Sequence, residues 1–421
     1  MKPRLDDMGQ TQNRLFAWPR NHWDWPIRVS HKHGVRSGLM IYVGGQVDLD
    51  SVGTVRHPED LERQTDAAIE YLARVLQDLG ADLDDVVKLS VYYRHATDVD
   101  EVELLRRMRR RVRVEPAPAV TAIPLPRLAY PGMAVEIEAI AMRGPGDSRL
   151  PRVASQPQAH WTWPAGAEFS HGLRCGDLIF LGGNMALDDL GTVPYPRDIV
   201  EQAKLTLANI RKVLVGFGAE MDDIVKLNTF YVGHGTLADW EKAAQIRSSA
   251  FKKPGPVATG VPVPGPYPNG LLLRQDAVAV LGTGGLRPAR QTSWPPGQWN
   301  WPIPVSFQQG LKVGQTIFVG GQVSADSHGR PVHPNDMDAQ TRASMDHIQN
   351  ILAGFGVTLD SVIKVNCFYK SGGTPDELHR NLAIRSSYFR EPGPATTGIP
   401  LENLGLEGLT IEIEAIATTD H

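Results

Sequence analysis

The sequence has little of what marks secreted or membrane proteins. Its 421 residues include only two cysteines, Cys175 and Cys367, so neither a disulfide framework nor a cysteine-based zinc site is indicated. No hydrophobic run approaches the roughly 20 residues of a transmembrane helix. The first ten residues also lack the apolar core of a secretory signal. We therefore expect a cytoplasmic protein that makes no use of a membrane.

The chain also lacks a strong excess of charge of either sign. Its formal net charge is −4, which weighs against nucleic acid as a partner. The motifs HExxH, CxxC and GxGxxG are absent, so no metal and no nucleotide cofactor is predicted. A hydrophobic content of 42% with 21% charged residues is ordinary for a globular protein. These bounds leave a small molecule as the expected partner.

What the sequence does contain is a long internal repeat. The stretch IYVGGQV begins at Ile41, and near-copies begin at Ile179 and Ile317, each 138 residues further on. A Trp-x-Trp-Pro segment recurs at the same interval from Trp23, Trp161 and Trp299. A period this long implies whole domains, since solenoid repeats span about 20 to 50 residues. We predict three domains, at residues 1–142, 143–280 and 281–421.

Each copy shows the same order of elements, namely strand, strand, helix, strand, helix, strand. The first long helix is expected between Pro58 and Gly80, which mark its two ends. Segments 143–159 and 281–298 are rich in Pro, Gly and Arg and are predicted to be linkers. This order indicates an α+β unit whose two helices cover one face of the sheet. The bare faces of the three sheets are then expected to meet around a pseudo-threefold axis.

The paired glycines of the second strand allow two interpretations. They mark either a β-bulge or a close approach of the backbone to a ligand. The second glycine of each pair is therefore a candidate binding residue. These positions are Gly45, Gly183 and Gly321.

Several motifs together carry a resemblance to a known family. They are the GGQV stretch, a helix glutamine at Gln64, Gln202 and Gln340, the strand that begins VVK, IVK or VIK, and the closing EIEAIA. In this order they resemble the RidA/YjgF family of imine and enamine deaminases. The resemblance implies chorismate-mutase-like domains with ligand clefts at the junctions of a trimer. One chain would then form a self-contained pseudo-trimer, and further self-association is left open.

The chain departs from the family pattern at the expected site. The family uses an arginine to bind the substrate carboxylate, and that position holds Val120, Ala258 and Thr396 here. The family's water-activating glutamate matches Glu136 and Glu412, whereas the middle copy has Arg274. Glu136 and Glu412 are thus the predicted catalytic residues. Arg274 is expected either to bind an anion or to form a salt bridge with a neighbouring copy.

A substitute for the missing arginine is available on the second helix. Arg109, Arg247 and Arg385 recur at the repeat spacing and could bind a substrate carboxylate bidentately. The alternative is that they are surface arginines paired with nearby acids. The Trp-x-Trp-Pro segments could cover a cleft or pack on the next copy. An arginine run from Arg106 to Arg113 could bind RNA or could be a charged helix face.

The leading functional hypothesis is a metal-free hydrolase or deaminase that acts on a small imine, enamine or related C–N substrate. General acid–base catalysis by a glutamate typically contributes about 10²- to 10⁴-fold to such a reaction. The first alternative is a non-catalytic small-molecule-binding or scaffold protein. A ring-opening amidohydrolase would need a recurring serine beside a lysine, and no serine recurs in register. A ribonuclease is the last alternative.

Overall fold

The computed structural model describes residues 14–95, 100–263, 265 and 270–419. Within these residues the chain forms three successive units of the same design. The first contains β1 (Arg14–Ala17), β2 (Gly34–Ser37), β3 (Met40–Gln46), α1 (Leu61–Asp78), β4 (Val86–Arg94), α2 (Glu101–Arg111), β5 (Ala119–Leu125) and β6 (Val135–Met142). The fold is α+β in each unit, as predicted.

The second and third units repeat these elements. The second has β7 (Arg152–Ala154), β8 (Gly172–Cys175), β9 (Leu178–Met185), α3 (Ile199–Val215), β10 (Ile224–Val232), α4 (Glu241–Ser249), β11 (Val257–Val263) and β12 (Leu273–Val280). The third has β13 (Arg290–Ser293), β14 (Gly310–Val313), β15 (Thr316–Gln322), α5 (Met337–Ala353), β16 (Val362–Lys370), α6 (Asp376–Ser387), β17 (Ala395–Leu401) and β18 (Ile411–Thr418).

Each unit contains a six-stranded mixed sheet. The strand order is β1-β2-β3-β6-β4-β5 in the first unit, and the other two units repeat it. The only parallel pair in the first sheet, among the residues described, is β4 with β5. The pairing of β3 with β6 shifts register between Val43 and Gln46, which places a bulge at the paired glycines. The bulge interpretation of this motif therefore holds for the backbone.

The long helix begins and ends where its flanking residues require. The Asp60 side chain caps the helix by accepting a hydrogen bond from the Arg63 backbone N–H. Gly80, just past the end, has a φ of 74°, a left-handed conformation that favours glycine. Asp198 and Asp336 cap the equivalent helices in the same way. In the described part of the chain, no helix is both long and apolar enough to cross a bilayer.

Two predictions about local structure were wrong. The expected linkers each supply an edge strand, β7 and β13, which pair with β8 and β14. The Pro-rich segment after the second helix is also a strand, β5, and contains Pro124. Proline is tolerated there because β5 lies at the edge of its own sheet. The edge strands β7 and β13 have only 3 and 4 residues, which is too few to show an alternating pattern.

The uncovered faces of the three sheets pack against one another. One buried apolar cluster draws residues from all three units, among them Tyr42, Phe180 and Phe318 at equivalent positions. Isolated parallel bridges join neighbouring units, at Lys32 with Ala395, Ala119 with Ser170, and Val257 with Gln308. The helices lie on the opposite faces, where α1 packs on β3 and β6. The three units thus surround a pseudo-threefold axis within one chain.

Candidate functional site

Among the residues that the structure describes, two junctions between units show an open cleft that holds a predicted acid. Glu136, on β6, lines a cleft of about 400 Å³ counted to its open mouth, and the opposite wall comes from the third unit. Glu412, on β18, lines a cleft of about 720 Å³ whose opposite wall comes from the second unit. Both predicted acids therefore lie in clefts at a junction between two units.

The paired glycines make room for these acids. A Cβ on Gly45 would overlap the Glu136 carboxylate, and a Cβ on Gly321 would overlap the Glu412 carboxylate. The first glycine of each pair lets the next unit approach, since a Cβ on Gly44 would overlap the Thr396 backbone. Gly45 and Gly321 line the clefts, whereas Gly183 lies against Arg274. The motif therefore supplies both a bulge and part of the cleft wall.

Burial changes the acidity of both glutamates. Desolvation, followed by the nearby Glu138 carboxylate, raises the pKa of Glu136 to about 8. Desolvation and Glu414 raise the pKa of Glu412 to about 8 in the same way. A backbone hydrogen bond from Gly398 to Glu136, and the Lys364 charge, act in the opposite direction. At neutral pH Glu136 and Glu412 are thus carboxylic acids that can donate a proton.

The neighbouring acids pair with lysines from another unit. Burial acts to raise the pKa of Glu138, but Lys364 and its hydrogen bond outweigh this effect, so the pKa is lowered. The Lys364 Nζ lies 2.8 Å from Glu138 Oε2. Equivalent pairs join Lys226 to Glu414 at 2.6 Å and Lys88 to Asp276 at 2.9 Å. Each pair links two units across a polar cavity on the axis, a feature that the strand pattern did not predict.

The three helix arginines differ in what they contact. Arg385 is fully buried in the Glu136 cleft and donates to Asn381 Oδ1 and Thr396 Oγ1, at 2.9 to 3.1 Å. Arg247 is buried in the wall of the Glu412 cleft, and its Nε and Nη1 have no hydrogen-bond partner among the described residues. Burial lowers the pKa of Arg247 to about 10. Both arginines thus line a cleft.

Arg109 lies outside both clefts. Its guanidinium pairs with Glu115 and donates to the backbone oxygens of Val112 and Glu168. The position of Glu115 is occupied by Lys253 in the second unit, which offers Arg247 no carboxylate. In the third unit the equivalent Glu391 is paired with Lys32. Equal spacing along the helix therefore did not ensure equal placement of the three side chains.

The third junction is occupied by Arg274. This side chain is 2% exposed and reaches from the second unit to Glu101 of the first, with Nη2 3.0 Å from Oε1. Its Nη1 also donates to the Ala122 carbonyl oxygen. Of the two predicted roles for Arg274, the geometry corresponds to the salt bridge with a neighbouring copy. The charge inversion places an ion pair at this junction, where the other two hold an acid.

The Trp-x-Trp-Pro segments form walls of the open clefts. Trp23 and Trp25 line the Glu136 cleft, and Trp299 and Trp301 line the Glu412 cleft. The Trp299 Nε1 donates to Gln322 Oε1 at 2.9 Å, and Trp23 makes the same bond to Gln46. The middle copy has the shorter Asn184 at this position, and Trp161 Nε1 has no partner among the described residues. The Trp-x-Trp-Pro segments thus shape the two clefts.

A further tryptophan beside each of these two clefts was missed from the sequence. Trp18 packs edge-on against Trp25, and Trp294 packs edge-on against Trp301. These two positions are equivalent in the repeat, and the middle copy has Gln156 there. The extra tryptophan thus occurs in the two copies that also keep the glutamate. The repeat spacing could have revealed this correlation.

The arginine run on α2 is neutralised locally. Five of its six guanidinium groups lie within 4.0 Å of a carboxylate, and the sixth, Arg113, donates to the Arg110 carbonyl oxygen. The acids come mainly from α1 and α2 themselves. This surface matches a charged helix face. Elsewhere in the described residues, no group of three or more His, Cys, Asp or Glu side chains is arranged to hold a metal ion.

Fold and clefts together define the class of protein, a single-chain pseudo-trimer with clefts between its repeats. The family model described as Endoribonuclease L-PSP matches residues 27–143, 162–280 and 303–419. The chain therefore belongs to this family, which is the RidA/YjgF family, and it does so in three tandem copies. The resemblance seen in the sequence is confirmed.

Two relatives found by sequence similarity correspond in length to about one repeat. A RutC family protein of Pyrococcus horikoshii is 32% identical over 119 residues, which is 28% of this chain and 91% of the relative. The mitochondrial protein mmf2 of Schizosaccharomyces pombe is 30% identical over 113 residues, 26% of this chain and 86% of the relative. A chorismatase crystal structure superposes over 80% of this chain and 93% of its own, with a TM-score of 0.52 and 15% identity. That likeness shows the fold alone.

Proposed function

We propose that this protein is a metal-free hydrolase that releases ammonia from small enamines or imines in its two open clefts. The observation that carries the proposal is a buried, protonated glutamate in each of these clefts. Among the residues described, neither glutamate is paired with a cation. Family membership supports a small-molecule role. The junction where Arg274 pairs with Glu101 in place of the acid is proposed to be inactive.

Each glutamate would act in turn as acid and base. The Glu412 carboxylic acid donates its proton to the enamine carbon, which gives an iminium ion and a carboxylate. The carboxylate accepts a proton from water while the water oxygen bonds to the iminium carbon. Glu412 then passes this proton to the nitrogen and accepts the hydroxyl proton as the C–N bond breaks. Ammonia and a carbonyl product leave, and the acid is restored.

The test is ammonia release from a panel of freshly generated enamines and imines, with and without a carboxylate. We expect the Glu136→Gln/Glu412→Gln double variant to lose about 10²-fold or more of the rate, because glutamine cannot exchange a proton. The exposed Glu407→Gln is the matched control. Each single variant should keep the activity of the other cleft. Since the acid form starts the reaction, kcat/KM should fall as the pH rises through about 8.

Two results would reject the proposal. One is a rate no faster than buffer for every substrate. The other is a double variant as active as the wild type. Binding of the same compounds without turnover would instead favour the small-molecule-binding alternative.

A further inference from the structure

The Glu412 cleft contains hydrogen-bond donors that the protein does not use. Arg247 is only 5% exposed, yet two of its guanidinium nitrogens have no acceptor among the described residues. The Tyr231 hydroxyl, in the same wall, also has no partner there. Buried donors are nearly always satisfied, since an unmade hydrogen bond is costly. A guanidinium and a phenol aimed into one cavity are the donors that a carboxylate would accept from.

The equivalent arginine in the other cleft shows why Arg247 is available. Arg385 is held by Asn381 and Thr396. The repeat places Ala243 and Ala258 at these two positions in the second unit. Both acceptors have thus been replaced by a methyl group. Each of the three guanidinium nitrogens of Arg385 donates to the protein. Two guanidinium nitrogens of Arg247 have no acceptor among the described residues and are left for a ligand.

The rest of the Glu412 cleft is broad, flat and apolar. Trp301, Trp299 and Trp240 contribute to its walls, together with Phe307 and Val305. The position of Trp240 holds Leu378 in the Glu136 cleft, which has little more than half the volume. Indole rings offer large flat faces on which planar groups stack. The wall therefore suits a flat apolar group rather than a small polar one.

We propose that the Glu412 cleft binds a small molecule that combines a carboxylate with a flat apolar body, while the Glu136 cleft does not bind the carboxylate. Arg247 and Tyr231 hold the carboxylate, and the tryptophan wall holds the flat group. The inference names the substrate class of one cleft and so rests on the proposed function. Binding of unreactive probes tests it separately from turnover.

The experiment is calorimetric titration of the full chain with three probes, namely 3-phenylpropanoate, its neutral amide and acetate. We expect one site per chain for 3-phenylpropanoate, and binding about 10- to 100-fold weaker for the amide, which lacks the charged acceptor. Acetate lacks the flat group and should also bind weakly. Quenching of tryptophan fluorescence should accompany binding of 3-phenylpropanoate only.

Variants assign the site. Arg247→Gln should weaken 3-phenylpropanoate binding about 10- to 100-fold, and Arg109→Gln, which changes the equivalent arginine outside the clefts, should leave it unchanged. The Ala243→Asn/Ala258→Thr variant rebuilds the acceptors found around Arg385. It should keep the charge and the fold, shown by an unchanged melting curve, and still lose binding. This second variant decides the matter if Arg247→Gln does not fold.

The outcomes separate the two proposals. Equal affinity for acid and amide, two equivalent sites, or full binding by Arg247→Gln would overturn the inference. Selective carboxylate binding without ammonia release from any substrate would support it and count against the proposed deaminase. Ammonia release with no preference for a carboxylate would do the reverse.

Discussion

At the scale of single residues, the environment decides what each charged group can do. Glu136 and Glu138 share a strand face, yet Lys364 pairs with Glu138 and leaves the proton on Glu136. Arg247 and Arg385 occupy equivalent positions, yet only Arg385 finds acceptors within the protein. Residue type and spacing are the same in each comparison. The neighbouring side chains make the difference, from another unit for Glu138 and from the same unit for Arg385.

The raised pKa values of Glu136 and Glu412 predict a pH-dependent stability. The pKa of Glu136 and of Glu412 is about 8 in the folded chain, against the ordinary glutamate value of 4.5, which applies in the unfolded chain. Between these values the folded chain binds more protons than the unfolded chain, so stability falls as pH rises. The contribution is fully present below about 4.5 and is lost as pH passes through about 8.

The measurement is the melting temperature of wild type and Glu136→Gln/Glu412→Gln between pH 5.5 and 9. We expect the wild type to lose more stability over this range than the double variant, because glutamine does not ionise. Glu407→Gln should follow the wild type. Parallel curves for wild type and the double variant would contradict a buried, protonated pair of glutamates.

At the scale of elements, the glycine pair couples a strand to the site. The bulge in β15 turns the backbone so that Gly320 meets the second unit and Gly321 meets Glu412. An added side chain at Gly321 must displace the carboxylate or the strand. The same strand therefore sets the junction between units and the position of the acid.

We predict that Gly321→Ala destabilises the protein by about 1 to 3 kcal/mol, the usual cost of overpacking a buried site. It should also lower turnover in the Glu412 cleft, because the carboxylate is displaced. Urea unfolding and ammonia release on a Glu136→Gln background measure the two effects. Gly372→Ala, where an added Cβ has room, should change stability by less than about 0.5 kcal/mol. Equal effects of the two substitutions would contradict the packing seen here.

At the scale of the whole molecule, charge pairs across the axis join each unit to a neighbour. Lys88, Lys226 and Lys364 are nearly fully buried, and each pairs with an acid from a different unit. A buried pair stabilises little by itself, but loss of one partner leaves a buried charge uncompensated. The pairs therefore favour the arrangement in which each lysine meets the acid of one particular neighbour.

We predict that Lys226→Met lowers the free energy of unfolding by about 3 kcal/mol, because Glu414 is left buried without its cation. The matched control is Lys204→Met, which removes an exposed ion pair with Glu201 and should cost less than about 1 kcal/mol. Urea unfolding of the full chain measures both. A Lys226→Met protein as stable as the control would show that the axial pair contributes nothing to the junction.

Much of this protein was determined by its sequence alone. The 138-residue repeat gives three units, and the α+β fold follows from strand and helix patterns that depend on neighbours a few residues apart. The ends of α1 follow from Asp60 and Gly80 in the same local way. The positions of Glu136 and Glu412 also follow from the family pattern, because it is carried by one strand. Local periodicity thus sufficed for the long helices and the central strands, and the family resemblance supplied the two acids.

Only the tertiary structure decided what Arg274 contacts and which of the three helix arginines line a cleft. Arg274 pairs with Glu101, 173 residues earlier in the chain. Arg109 lies outside the two clefts and pairs with Glu115. The edge strands β7 and β13 form because an existing sheet offers them free hydrogen-bonding groups. Such contacts join distant parts of the chain, and they depend on geometry that no local pattern encodes.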